Sequence, residues 1–95
     1  MGAQGTATVD FGAAPGTNVV SVTVSGQAGV VNGSAVEAWI MGSDSTADHT
    51  AYEHMLMARE VEVTPTLINA GAGFVLTALT QLRLTGLVAV RWVWN

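Results

Sequence analysis

Cysteine and lysine are both missing from this 95-residue chain, and each absence removes whole classes of function. Without cysteine there is no disulfide framework, no thiolate zinc site and no thiol nucleophile, so packing alone must hold the fold. Without lysine, the only cations are Arg59, Arg83 and Arg91, set against seven acidic residues for a net charge of −4. Phosphate backbones are bound by clustered cations that release counterions, so nucleic acid is not an expected partner. No apolar run approaches the roughly 18 residues of a membrane helix, and no membrane partner is expected. The opening MGAQGTATVD has no basic stretch followed by an apolar one, so no secretory leader is expected either.

Charge is scarce overall: 11% of residues, against roughly 25% in an ordinary soluble domain. The hydrophobic share is 49%, which excludes a disordered chain. A chain of this length is expected to form a single domain, residues 1–95, with a large fraction of its surface exposed. So few charges cover little of that surface, and part of the apolar remainder is expected to be buried against other chains.

Alternation of period two runs through most of the sequence. In residues 6–11, Ala7, Val9 and Phe11 oppose Thr6, Thr8 and Asp10; in 18–25, Val20, Val22 and Val24 oppose Val19, Ser21, Thr23 and Ser25. Gly12, Pro15 and Gly16 punctuate the interval, as a hairpin or a crossing between sheets requires. A third strand is predicted over 35–41, with Val36, Ala38 and Ile40 on one face and Glu37, Trp39 and Met41 on the other. Val61 and Val63 open another strand, and Pro65 argues for a bend or a sheet edge there. In residues 74–82, Phe74, Leu76 and Ala78 oppose Val75, Thr77 and Leu79, and the final strand sets Val88, Val90, Trp92 and Trp94 on one apolar stripe expected to face the core. Six or seven short strands separated by glycine-rich turns predict an all-β fold, a small antiparallel β-sandwich of Greek-key or jelly-roll type.

Residues 43–58 break this rhythm. Thr50-Ala51-Tyr52-Glu53 fits a capping box opening a turn of helix over 50–57. The set His54, Leu56, Ala58 writes equally well as a strand beginning near Tyr52, and that extended reading is preferred in a chain otherwise built of strands.

The same segment gathers Asp44, Asp48, His49, Glu53 and His54, the densest polar chemistry in the sequence. The two histidines are five apart, a spacing that does not share one helical face, and no HExxH or facial triad is present; no metal and no cofactor are expected. No serine lies in a nucleophile elbow, so the chain is expected not to be an enzyme. Glycines 71 and 73 lack the lysine and the following helix of a phosphate loop. Polar residues on a loop between strands commonly carry specific contacts, so Asp48, His49, Glu53 and His54 are expected to meet a neighbouring subunit or another protein. Trp39 with Met41 is the expected apolar contact patch.

Three segments carry a resemblance: TATVDFG near the start, VEAWIMGSDSTADHTAYEH in the centre and GLVAVRWVWN at the end. Together they resemble a group of small proteins of tailed bacteriophages, over nearly the whole chain. The resemblance implies a virion location and assembly: a structural protein that associates with copies of itself, expected as a trimer, and with other virion proteins. Attachment would be to the capsid surface, as decoration or cement, or to the tail or its fibres. A carbohydrate-binding module of a tail fibre, using an exposed tryptophan, is the alternative.

Overall fold

The computed structural model describes residues 2–95. Six strands and one helix follow in the order β1 (Ala3–Asp10), β2 (Thr17–Val24), β3 (Val36–Trp39), α1 (Ala51–Glu60), β4 (Val61–Asn69), β5 (Gly73–Leu84) and β6 (Leu87–Trp94). They form two antiparallel three-stranded sheets, β1-β6-β3 and β2-β5-β4, with β1 lying against β2 and β3 against β4 across the interior. The small antiparallel β-sandwich predicted from alternation is therefore the fold. Four of the five strand-to-strand connections pass between the sheets, including β1 to β2; the β4–β5 hairpin alone stays within one sheet.

The alternation of each strand decides what is buried. Val9, Val88, Val90, Trp92 and Trp94 point inward from the first sheet and meet Val24, Phe74, Leu76 and Ala78 from the second. The ring of Phe74 meets the Trp92 indole edge to face at a centroid distance of 5.4 Å, which fixes how the central strands β5 and β6 pack. Gly5, paired with Trp92 across the ladder, leaves the room that this indole occupies. Trp94 anchors its indole N–H on Gln27 Oε1 at 2.9 Å and so ties the loop after β2 to the core.

Two expectations sharpen here. Pro65 lies on the edge strand β4, next to a break in register between Pro65 and Leu67, as a residue without an N–H requires. Strand β3 is shorter than predicted and ends at Trp39, although Ile40 is still buried. One expectation is overturned: residues 51–60 form a helix and not a strand. Thr50 Oγ1 accepts from Glu53 N–H at 3.2 Å while Glu53 Oε1 accepts from Thr50 N–H at 2.8 Å, so the capping box is complete. The run Met55-Leu56-Met57-Ala58-Arg59 then favours helix by intrinsic propensity.

Candidate interaction surface

Strand β6 is the centre of the β1-β6-β3 sheet, and its ladder to β3 stops early. Arg91 pairs with Trp39 and Val93 with Glu37, but no β3 residue stands opposite Ala89 or Leu87. Their inward-turned backbone groups need other partners. The polar segment supplies them. Asp48 Oδ2 accepts from Leu87 N–H at 2.7 Å, Thr46 Oγ1 donates to Leu87 C=O at 2.6 Å, and His54 Nε2 accepts from Ala89 N–H at 3.0 Å. Three side chains thus replace the missing stretch of strand.

His54 has no accessible surface. A carbonyl only accepts and an amide N–H only donates, so its Nδ1–H points to Thr50 C=O at 3.0 Å and its Nε2 carries the lone pair toward Ala89. Expected at a contact with a neighbour, His54 is instead an interior bolt between α1 and β6, with both nitrogens engaged inside the chain. His49 is half-buried: Nε2 lies 2.6 Å from Thr85 C=O, and Nδ1 approaches Glu53 Oε1 to 3.4 Å without hydrogen-bond alignment. Asp48 is exposed yet fastened to Leu87, and Gly86 leaves the space its carboxylate fills. Glu53 meets Thr50 and His49 of its own chain. The backbone hydrogen bond from Thr50, and then the His49 ring, hold the Glu53 carboxyl below its ordinary range. The imidazole centroids stand 6.3 Å apart, and among the described residues no three His, Asp or Glu side chains are grouped to hold a metal ion.

Asp44, just after β3, grips Arg91 with two parallel bonds, Nε to Oδ2 at 2.8 Å and Nη2 to Oδ1 at 2.7 Å. That hydrogen-bonded guanidinium lowers the Asp44 carboxyl below its usual range. The pair stiffens the outer face of β6 directly beside Trp39.

Beyond this framework lies an apolar surface. Trp39 is 40% exposed and Met41 39%, and they border a groove of about 330 Å³ lined also by Gln4, Thr6 and Arg91. The patch continues onto α1. Gly42 stands against Met55, whose side chain is exposed together with Tyr52 and Leu56, because the helix buries only His54 and Met57. Positions 52, 55 and 56 share one helical face. Sequence reasoning singled out Trp39 and Met41, which are exposed; it did not single out Tyr52, Met55 and Leu56 because it read the segment as extended. The chain matches no protein-family model, no curated protein and no solved structure.

Proposed function

We propose that this chain is a non-enzymatic structural protein of a tailed-bacteriophage virion, which associates with copies of itself and attaches to the capsid surface or the tail. The observation that carries this reading is the apolar surface running from Trp39 and Met41 over Gly42 to Met55 and Leu56, on a chain with little charge to keep it solvated. The resemblance to small phage proteins supports the same direction, and repeated weak contacts among many copies would give such a protein its grip through avidity. Asp48, His49 and His54 each bond backbone of the fold, at Leu87, at Thr85, and at Thr50 and Ala89, which supports a structural part for this segment.

Replacing Trp39 by aspartate tests this. Sedimentation velocity is expected to show the wild-type chain associated and the variant broken down to smaller species, with β-type circular dichroism retained. Unfolding of the variant, or an unchanged mass, would remove Trp39 from the contact. The groove beside Trp39 favours one second reading, a carbohydrate-binding module of a tail fibre, since an indole face next to Gln4, Thr6 and Arg91 suits a sugar ring. A saturable change in tryptophan fluorescence on titration with host-surface oligosaccharides, absent in Trp39→Ala, would select it.

A further inference from the structure

We infer that β1 is an interaction edge that pairs antiparallel with β1 of a second copy, joining two β1-β6-β3 sheets into one six-stranded sheet across a twofold axis. The inference rests on the reading that the chain associates with itself, and it names the contact.

The sandwich has four edge strands, and three of them are blunted. Strand β4 carries Pro65, a break in register and Glu62. Strand β3 has four residues, and its neighbour continues against side chains. On β2, Thr17 Oγ1 bonds both the N–H and the C=O of Val19, and Gln27 Nε2 takes the C=O of Ser25, so local side chains cap its ends. Strand β1 has one local bond at its end, where Asp10 Oδ1 accepts from Gly12 N–H at 2.8 Å, and none of these devices along Ala3 to Val9. Its eight residues pair with β6 in unbroken register from Ala3↔Trp94 to Asp10↔Leu87, with no proline, no basic residue and a single charge at the end. Such an edge is a template for another strand.

Which groups it offers follows from parity. In an antiparallel ladder the N–H and C=O of one residue point to the same side, alternating along the strand. Odd positions of β6 turn toward β3: Asn95 exchanges both backbone bonds with Ala35, at 2.9 and 3.0 Å, and Ala89 reaches His54 on that side. Even positions therefore turn toward β1, where their partners are Ala3, Gly5, Ala7 and Val9. The N–H and C=O of Gln4, Thr6 and Thr8 face outward with no partner strand.

The edge is complementary to itself. With Thr6 on the dyad, Gln4 stands opposite Thr8 of the second copy, so neutral donors and acceptors meet on the outer face. Antiparallel pairing separates the two Asp10 carboxylates by roughly 26 Å at about 3.3 Å per residue, whereas parallel pairing would set them side by side. On the face opposite Gln4, Thr6 and Thr8, Ala3 and Ala7 are small and Gly5 has no side chain, which leaves the approach clear. Trp39 and Met41 border their groove from the β3 side of the sheet while Gln4 and Thr6 line it from β1, so the dyad adjoins the Trp39 patch and leaves its β3 and α1 side for a further contact.

Sedimentation velocity and amide hydrogen exchange on the full chain test this. Thr6→Lys with Thr8→Lys places ammonium groups of two copies against each other on exposed positions. Thr6→Pro removes an outward N–H that no internal bond needs. Trp39→Asp alone is expected to leave a dimer of twice 9.8 kDa, and adding either edge change is expected to give the monomer with β-type circular dichroism retained. The amides of Gln4, Thr6 and Thr8 are expected to be protected in the dimer and to exchange freely in the double-lysine variant. An associated wild type whose Gln4, Thr6 and Thr8 amides exchange as fast as free peptide would overturn the edge contact while leaving self-association standing. So would edge variants that fold and keep the parent mass. A wild type that stays monomeric at every concentration would overturn both.

Discussion

Replacing His54 by leucine is expected to destabilise the fold by about 2–4 kcal/mol, measured by urea unfolding. The leucine fills the volume but abandons Ala89 N–H, a backbone donor that the ring reaches at 3.0 Å. A buried donor left unpaired costs its full desolvation, about 1–3 kcal/mol. The same change cuts the tie between the ring and Thr50 C=O at the start of α1. His54→Gln, whose side-chain carbonyl can still accept from Ala89, is expected to recover part of the loss, and the Ala89 amide is expected to lose exchange protection only in the leucine variant. A surface histidine engaged with a neighbour would give the opposite pattern, with stability unmoved and association weakened.

Gly16→Ala is expected to be the second severe change, at about 3 kcal/mol or more. Gly16 sits at φ +77°, in the left-handed region where a β-carbon is disfavoured, and a β-carbon there would run into the backbone carbonyl of Leu84. A carbonyl in a ladder cannot swing aside, so β2 and β5 would have to part where Thr17 pairs with Leu84. Gly12→Ala provides the control within the same loop. Gly12 has φ +86° but nothing within 4 Å of a β-carbon, so only the conformational penalty of about 1 kcal/mol applies. Thermal unfolding of the two variants side by side separates steric approach from backbone preference.

These effects also show where the sequence was legible. Trp92 and Trp94 are readable as core because they share parity with Val88 and Val90, and β-strands enforce that parity without exception along one face. Helix α1 was harder. It buries only His54 and Met57 and exposes Tyr52, Met55 and Leu56, so no apolar stripe of helical period points to a core; the capping box was the better signal and it won. The surrogate ladder could not be read at all from local pattern. Thr46, Asp48 and His54 lie some 35–41 residues from their partners Leu87 and Ala89, and nothing in the spacing of either segment announces the other. Concentrated polar residues on a loop suggested outward contacts, whereas an incomplete strand turned Asp48 and His54 toward the fold and His49 toward Thr85. The apolar half of the expected contact set, Trp39 and Met41, is the half that remains exposed.

The measurement closest to the proposed role is quantitative mass spectrometry of purified virions from a phage whose genome carries this sequence, which the proposal requires to exist. The wild-type chain is expected in fixed ratio to the major structural proteins, and Trp39→Asp is expected to be depleted from particles while staying folded and abundant in the lysate. A wild-type chain abundant in the lysate and absent from the particles would contradict a structural role in the virion.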